Sequence, residues 1–461
     1  MNELKNSYCN PLAIPSIPVG RNAGDKENAG DWWREFGDPT VIRFKERYYL
    51  FPSCGMIWYS DDMIHWQFQA INLYDVGWAP TVTEKAGRLY LSASWEGSQI
   101  WTTEDPLGHW ECLGEIRDEN DQPLKWADPA LFTDDDGTIY AYYSLGVNRG
   151  IFVARLRDDD VTRFDGAPVH CFAYNPEHKW ERFGEFNQNP YFSHLEGASM
   201  TKYNGKYYLQ YSAAGAEWRN YAVGCYIADS PAGPFRYQKR NPVLIQRHGM
   251  INGCGHNSIV EGPDGEFWCF YTILMRRYRG LERRIAMDIV RFDENDEMYV
   301  DGPSETPRFL DGSYPDSVAN LTSGQPVKAS SFVPGHESGL AIDNYIRTWY
   351  EADPADRQPS LNIDLQGRFN LMGGRIIFNE KITPYHPSPG FFGFLIEYLS
   401  DGDKWTILCD RRNADFDGHI RYETWDTVTA TRVRLTITQV PSGNIPGVID
   451  FSIFGKAEIE K

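Results

Sequence analysis

The chain repeats one short pattern five times, and this repeat limits the fold more than any other feature of the sequence. Each copy has two β-type runs around a tight turn: "TVIRFKERYYLF", "TVTEKAGRLYLSAS", "ALFTDDDGTIYAYYS", "SMTKYNGKYYLQYS" and "SIVEGPDGEFWCFYT". The turns contain the Gly, Asn and Asp that tight hairpin loops need for positive φ. The copies begin near residues 38, 79, 128, 196 and 256. Hairpins at such spacing are typical of propeller blades with loop insertions, so we predict a five-bladed β-propeller.

The character of the sequence changes after residue 300. The stretch "DGPSETPRFLDGSYPDSVANLTSGQPV" is rich in Pro, Gly, Ser and Asp, which is typical of a boundary between compact units. Beyond it, strands and turns continue without the hairpin repeat. The 461 residues also exceed what one hydrophobic core usually supports. We therefore predict an all-β protein, with the propeller over residues 1–318 and a β-sandwich of the jelly-roll type over residues 319–461.

Polar side chains with catalytic chemistry fall at the starts of the hairpins. Asp38, Asp128 and Glu196 open three of them, and His256 opens a fourth. The hairpin near residue 79 supplies Trp78 instead. The innermost strand of each propeller blade runs along the central axis, so equivalent strand starts meet at one mouth. We therefore expect these side chains to share one pocket.

Several carboxylates in one partly desolvated pocket cannot all keep their solution pKa values. Burial and ionised neighbours both favour the protonated form, so one group stays ionised while another holds its proton. Cleavage of a glycosidic bond needs this division between a proton donor and a base. A plainer interpretation of Asp38 is that its Asp-Pro pair caps a turn, and His256 is equally well explained as a structural histidine.

Charge and motif content argue against other classes of function. The net charge of -19 would repel phosphate backbones, so we predict no nucleic-acid partner. The sequence contains no dinucleotide or P-loop motif, no zinc-ligand spacing and no apolar stretch of membrane-spanning length. The eight single cysteines and the absence of an apolar leader predict a cytoplasmic protein. A chain trimmed of its signal peptide would instead be secreted or periplasmic.

Eight motifs in order resemble those of family 43 glycoside hydrolases, which are five-bladed propellers. The similarity covers residues 8 to 310 and includes "DPTVIRFKERYYLF", "WAPTV", "DPALFTDDDGTIYAYY", "EGASMTKYNGKYYLQYS" and "GHNSIVEGPDGEFWCFYT". The resemblance implies an inverting mechanism. It implies that Asp38 is the general base, that Asp128 raises the pKa of the acid and orients it, and that Glu196 is the general acid.

The resemblance also implies roles for residues around these carboxylates. His256 matches a position near the central channel that in some members helps to hold a calcium ion, and no other cofactor is implied. Arg284 is favoured as the arginine that contacts substrate, although Arg283 is adjacent. Trp78 would line the sugar pocket or pack between blades. Ala198 replaces a proline that the acid motif usually contains, which indicates a less typical subgroup.

The C-terminal segment resembles discoidin-type (coagulation factor 5/8 type C) modules. The similar text includes "NLTSGQPVKASSF", "AIDNYIRTWYEA" and "TRVRLTITQVPSGNIPGVIDFSIFGKA". Such modules are β-sandwiches, and many bind carbohydrate. For this chain, sugar binding and a structural role both remain open.

We expect an exo-acting glycosidase that acts on an oligosaccharide or polysaccharide. The resemblance places α-L-arabinofuranosidase first, with β-xylosidase and galactan-acting enzymes as alternatives. The aromatic insertion at 158–194 would close one side of the mouth, which favours exo action. A non-catalytic propeller that binds carbohydrate is the alternative from another class of function.

Overall fold

The chain folds into two compact units built from β-strands. The structure is a computed structural model, and it describes residues 1–15, 36–53, 57–73, 77–277, 281–380, 391–400, 402–413, 418–441 and 443–458. Residues 36–303 form one unit, called here the propeller unit. Residues 1–15 and 304–458 form the other, called the C-terminal unit. No helix in these ranges has the length and apolarity that a membrane span needs.

The propeller unit consists of four-stranded antiparallel sheets, and five are seen in the described residues. Strand β1, Ser7–Tyr8, precedes them and belongs to the C-terminal unit. Blade one contains β2 Thr40–Phe44, β3 Arg47–Phe51, β4 Ile57–Ser60 and β5 Gln67–Gln69. Blade two contains β6 Thr81–Lys85, β7 Arg88–Ser92, β8 Gln99–Thr103 and β9 Glu111–Glu115. Blade three contains β10 Ala127–Thr133, β11 Ile139–Ser144, β12 Ile151–Arg155 and β13 Val169–Phe172.

The remaining blades follow the same order along the chain. Blade four contains β14 Leu195–Tyr203, β15 Lys206–Ala213, β16 Ala222–Ala228 and β17 Arg236–Tyr237. Blade five contains β18 Gly255–Glu261, β19 Phe267–Arg277, β20 Leu281–Phe292 and β21 Met298–Asp301. Short 3₁₀ turns occupy Trp95–Gly97 and Lys179–Glu181. The first strands of consecutive blades are neighbours, and β18 lies beside β2, so the ring closes. The predicted five-bladed propeller is confirmed.

Local turn chemistry explains why the repeated hairpins form. Three of the predicted turns are two-residue loops whose residues both have positive φ: Lys45 and Glu46, Ala86 and Gly87, and Asn204 and Gly205. Such loops match the right-handed twist of the strands that they join. The alternating side chains of the flanking strands then pack between neighbouring blades.

Aromatic residues that follow the polar turns fill the gaps between blades. Trp110 of blade two packs edge-on against Phe51 of blade one, with ring centroids 5.7 Å apart. Trp66 of blade one packs similarly against Phe270 of blade five, at 5.9 Å. Both tryptophans are buried, and the indole N–H of Trp66 donates to the carbonyl of Met63 at 2.8 Å. Both tryptophans therefore fill the space between neighbouring blades.

The C-terminal unit is built around an antiparallel eight-stranded sheet. Its eight strands are β23 Ala319–Asn320, β24 Val327–Ala329, β25 Tyr350–Glu351, β26 Ser360–Phe378, β27 Gly393–Leu399, β28 Thr406–Asp410, β29 Ile420–Gln439 and β30 Gly447–Ala457. A separate strand, β22 Arg308–Phe309, pairs with β1. Six of the eight lie in the order β23-β30-β26-β29-β27-β28, while β24 pairs with β26 and β25 with β30. A 3₁₀ turn covers Ser338–Ala341.

The boundary between the units differs from the predicted one at residue 318. The division falls between Pro303 and Ser304, and the N-terminal residues belong to the C-terminal unit. Strand β1 pairs with β22, and the buried guanidinium of Arg375 donates to the carbonyls of Asn10 and Glu305 at 2.5 and 2.9 Å. Asp450 neutralises this buried cation at 2.8 Å. Sequence patterns could not reveal that the N-terminal residues belong here, because Asn10 and Arg375 are 365 residues apart.

Candidate active site

The inner strand of each blade begins next to a residue in the left-handed conformation. These residues are Asp38 (φ 50°), Ala79 (φ 51°), Asp128 (φ 47°), Gly197 (φ 59°) and His256 (φ 43°). The inner strands form a ring, so the five positions lie at one end of the central channel. Since this conformation costs about 1–3 kcal/mol at a residue with a side chain, its repetition indicates that the surroundings hold it in place.

Hydroxyl groups stabilise this strained backbone in four blades. The acceptor lies each time on or just after the second strand of the preceding blade. The N–H groups of Asp38, Ala79, Asp128 and His256 donate to Thr272 (2.8 Å), Ser53 (2.7 Å), Ser94 (2.8 Å) and Ser212 (2.7 Å) respectively. Each blade therefore fixes the strand start of the next blade, and the polar side chains of the mouth are held by the ring itself.

Blade four departs from this rule and places Glu196 differently from the other carboxylates. Its left-handed residue is Gly197, so Glu196 corresponds to Trp78 of blade two and stands one residue before the positions of Asp38 and Asp128. The sequence prediction treated the three carboxylates as equivalent starts, and this register was wrong by one residue. The N–H of Gly197 donates to the Asp128 carboxylate at 3.1 Å instead of to a hydroxyl. Asp128 therefore fixes the backbone that carries Glu196.

Asp38 is a buried carboxylate held by three side chains. Arg283 donates two hydrogen bonds to its two oxygens, at 2.6 and 2.7 Å, and the hydroxyl of Ser53 donates one at 2.5 Å. The imidazole Nδ1 of His256 lies 3.1 Å away. Although burial raises the pKa of Asp38, the charges of Arg283 and His256 hold that pKa well below its usual range. Asp38 is therefore ionised throughout the ordinary pH range.

Glu196 has the opposite protonation state. Burial, together with the nearby carboxylate of Asp128, raises the pKa of Glu196 to about 8, even though a hydrogen bond from Tyr221 lowers it. The Tyr221 hydroxyl lies 3.0 Å from the Glu196 carboxyl. Glu196 is half-buried, so it keeps access to the mouth. At neutral pH this group carries a proton that it can donate.

His256 lies between Asp38 and Asp128. Its Nδ1 is 3.1 Å from Asp38 and 3.5 Å from Asp128. Although burial lowers the pKa of His256, the two carboxylates raise it to about 9. Nδ1 already contacts these two carboxylates, and calcium prefers oxygen ligands. The described residues contain no group of three His, Cys, Asp or Glu suited to a metal, and calcium at His256 stays a prediction.

Arg283 is the arginine that contacts Asp38. The contact of Arg284 with substrate, favoured from the sequence, stays a prediction. Successive residues of strand β20 point to opposite faces, so only one of the two can reach the carboxylate. The guanidinium of Arg284 donates to the carbonyl of Arg283 at 2.7 Å and lies 3.5 Å from Glu282. The guanidinium of Arg283 also lies 5.8 Å from the centre of the Trp78 ring. Trp78 thus lies beside the ion pair of Arg283 and Asp38.

Tyr221 is a site residue that the sequence did not reveal. It is fully buried in the loop between β15 and β16, and it reaches Glu196 over the backbone of Gly255. A Cβ atom at Gly255 would lie 2.2 Å from the Tyr221 ring, so only glycine fits there. The glycine immediately before His256 in "GCGHNS" was the one available signal, and it does not identify its partner.

The insertion between blades three and four packs beside Glu196. Its Phe183 contacts Phe192 and Trp218 edge-on, with ring centroids 4.6 and 5.8 Å apart. The ring of Phe192 lies 5.0 Å from that of His194, two residues before Glu196. The insertion is therefore anchored on the Glu196 side of the mouth.

The site thus combines an ionised carboxylate and a protonated one at the same end of the channel. An ionised group can accept a proton from water, and a carboxyl group with a raised pKa can donate one to a leaving oxygen. This division is the one that hydrolysis of a glycosidic bond needs.

Comparison with known proteins agrees with this chemistry. Over 279 residues the chain is 27% identical to a protein of Xylanibacter ruminicola named putative beta-xylosidase, covering 55% of this chain and 48% of that protein. It is 29% identical over 214 residues to an arabinoxylan arabinofuranohydrolase of Paenibacillus polymyxa, covering 40% of this chain and 30% of that protein. The chain therefore spans half or less of the length of these curated relatives.

A solved structure and a family model each match more than half of the chain. A solved structure described as a thermostable family-43 glycoside hydrolase superposes with a TM-score of 0.52 at 25% identity, covering 67% of this chain and 99% of that one. Residues 34–298, more than half of the chain, match the family described as glycosyl hydrolases family 43. The propeller, its ionised and protonated carboxylates and this match agree, and the chain belongs to family 43 of the glycosyl hydrolases.

Proposed function

We propose that this protein is an inverting, exo-acting glycoside hydrolase that removes a terminal sugar from an oligosaccharide or polysaccharide. The observation that carries the proposal is the pair formed by ionised Asp38 and protonated Glu196 at one end of the channel. α-L-Arabinofuranose is our first choice of sugar and β-D-xylose our second. One curated relative is named an arabinofuranohydrolase and the other a beta-xylosidase, so the comparisons support both sugars. A galactan-acting enzyme with the same pocket is a third alternative.

In this mechanism, Asp38 accepts a proton from the water that attacks the anomeric carbon. Arg283, Ser53 and His256 keep Asp38 ionised and oriented. Glu196 donates its proton to the oxygen of the leaving group as the glycosidic bond breaks. Water attacks from the face opposite the leaving group, so the configuration at the anomeric carbon inverts.

Asp128 and Tyr221 act as positioning residues in this mechanism. Asp128 accepts a hydrogen bond from the backbone beside Glu196, and its charge favours the protonated form of that acid. Tyr221 holds the carboxyl group of Glu196 from the other side.

The activity should fall at alkaline pH because the acid must be protonated. The raised pKa of Glu196 predicts that kcat/KM declines about tenfold per pH unit above a pH of about 8. The pKa of Asp38 lies well below its usual range, so the acidic limb should lie far below neutrality. A pH profile of kcat/KM on a nitrophenyl glycoside measures both limbs. An alkaline limb below pH 6 would contradict a protonated Glu196.

Replacing Tyr221 by Phe should shift the alkaline limb to higher pH. The Tyr221 hydroxyl donates to the carboxyl group of Glu196 and lowers its pKa, so its removal raises that pKa further. We expect kcat to fall about tenfold as well, because the acid is less well oriented. Tyr208→Phe is the matched control, since Tyr208 is also buried and its hydroxyl donates to the Asp296 carbonyl at 3.0 Å, away from Glu196. If the alkaline limb of Tyr221→Phe lies at the same pH as that of the wild type, Tyr221 only supports the fold.

The sugar is identified by hydrolysis of three nitrophenyl glycosides. We expect the highest kcat/KM on the α-L-arabinofuranoside, then on the β-D-xyloside, and the lowest on the β-D-galactoside. If none is cleaved while sugars still bind, the proposed activity is wrong and a carbohydrate-binding propeller becomes the better account.

We propose further that the C-terminal unit is a β-sandwich of the discoidin type. Its long antiparallel strands β26, β29 and β30 support this, as does the buried apolar cluster that they share with β27. Circular dichroism and proteolysis of the separately expressed residues 304–461 with residues 1–15 supplied in trans would test whether the unit needs its N-terminal strand. We expect stable folding only when both parts are present.

A further inference from the structure

A second cleft lies at the outer side of blade four, away from the candidate active site. It has a volume of about 590 Å³ and lies between the insertion that precedes blade four and the outermost strand of that blade. Its charged lining residues are Lys179, Arg182, Arg247 and Glu177. No step of the proposed hydrolysis uses these residues.

The floor of this cleft is held rigidly by packed rings and hydrogen bonds. The imidazole of His178 stacks on the Tyr237 ring, with centroids 3.8 Å apart, and its Nδ1 lies 2.7 Å from buried Glu181. The indole N–H of Trp180 donates to the Tyr237 hydroxyl at 2.9 Å. Asn187 donates to the carbonyl of Trp180 at 2.8 Å. The cleft is therefore preorganised, which lowers the entropic cost of binding a ligand.

The cleft carries excess positive charge in a strongly acidic chain. The chain as a whole has a net charge of -19. Among the residues that the structure describes, Lys179, Arg182 and Arg247 have no carboxylate within ion-pair distance, and Glu177 is the one acidic residue in the lining. Arg182 donates its Nε to the carbonyl of Pro176 at 2.8 Å, and Arg247 donates one N–H to Asn187 at 3.2 Å. Their remaining donors are available to a ligand.

The topology places this cleft on the face that holds the candidate active site. Asp38, Asp128 and Glu196 stand at the starts of inner strands, which defines one face of the propeller. Every connection that leads into an inner strand ends on that same face. The cleft is lined by the connections from β13 to β14 and from β17 to β18. Three strand spacings separate the inner and outer strands of blade four, which is about 14 Å. A bound oligosaccharide can span that distance.

We propose that the cleft binds a carboxylate-bearing sugar, a uronic acid unit, of the same polysaccharide whose terminal sugar is removed. The guanidinium and ammonium groups would pair with the sugar carboxylate, since such charge-assisted hydrogen bonds are strong. The exposed ring of Phe186 at the rim, 76% accessible, offers an apolar surface to a sugar face. This proposal rests on the proposed function for its choice of polysaccharide.

Binding to the full chain carrying Asp38→Asn tests the proposal without consuming the ligand. Titration calorimetry at low salt would compare unbranched xylotetraose with xylotetraose bearing one glucuronic acid branch. We expect the branched oligosaccharide to bind about tenfold more tightly and this advantage to shrink with added salt. Lys179→Gln together with Arg247→Gln should abolish the advantage. Arg149→Gln, which removes an exposed cation from the same face outside the cleft, should leave it intact.

Two results would overturn the proposal. One is equal binding, or no binding, of the two oligosaccharides. The other is an advantage that survives Lys179→Gln with Arg247→Gln in a protein of unchanged Tm. Hydrolysis of nitrophenyl glycosides, measured in parallel without Asp38→Asn, separates the two hypotheses. If the nitrophenyl glycosides are hydrolysed but the branched oligosaccharide binds no more tightly, only the proposal for the cleft is rejected. If the branched oligosaccharide binds more tightly but no glycoside is hydrolysed, only the proposed function is rejected.

Discussion

Replacing Glu196 by Gln should reduce kcat about 10³- to 10⁴-fold on glycosides with poor leaving groups. An alkoxide cannot depart without a proton, and the amide cannot supply one. A nitrophenolate needs little protonation, so the loss on nitrophenyl glycosides should be about a hundredfold smaller. The ratio of the two losses is the measurement, made on an alkyl and a nitrophenyl glycoside of the same sugar.

Two controls make this result specific. Glu104→Gln removes an exposed carboxylate that pairs with Arg88, and we expect it to leave kcat unchanged. The Tm of Glu196→Gln should be equal to or above that of the wild type, because the substitution removes a poorly solvated acid next to Asp128. Equal losses on both leaving groups would show that Glu196 does not donate the proton.

Replacing Asp38 by Asn should reduce kcat at least 10³-fold regardless of the leaving group. The amide cannot accept the proton of the attacking water, and this step is needed for every substrate. Losses on the alkyl and nitrophenyl glycosides should therefore agree within a few fold, in contrast to those of Glu196→Gln. Substrate binding should persist, because KM depends on contacts that remain.

The Asp38 variant also leaves the buried guanidinium of Arg283 without its carboxylate, so stability must be measured beside activity. We expect Tm to fall, since removing one partner of a buried pair is costly. Asp61→Asn, on the surface of the same blade, removes a carboxylate that pairs with Arg47 at 2.7 Å and should change neither kcat nor Tm appreciably. A folded Asp38→Asn protein with more than a tenth of wild-type kcat would contradict the role of Asp38 as base.

The hairpin repeat made the propeller predictable because its signals are local. Turn residues such as Asn204 and Gly205 set positive φ within a few residues of the strands that they join. Propeller topology then brings the strand starts together, so Asp38, Asp128 and His256 could be grouped from sequence alone. The His256 ring does lie between the other two, 3.1 Å from Asp38 and 3.5 Å from Asp128.

Details that depend on register or on distant contacts were not predictable. Glu196 stands one residue before the equivalent positions because Gly197 takes the left-handed conformation in blade four. That Arg283 pairs with Asp38 depends on which face of β20 turns toward the carboxylate, and Arg283 and Arg284 are adjacent and of the same type in the sequence. Tyr221 lies in a loop whose path follows no periodic pattern, so only the structure shows its contact with Glu196.

The most direct test of the account is proton NMR of the sugar first released from the best nitrophenyl glycoside. Wild-type enzyme would be followed at early times, beside Asp38→Asn and Glu196→Gln. We expect the first sugar to have the inverted anomeric configuration and its release to be lost in Asp38→Asn. Release with retained configuration would contradict it, because Asp38 would then act as a nucleophile on the sugar instead of as a base on water.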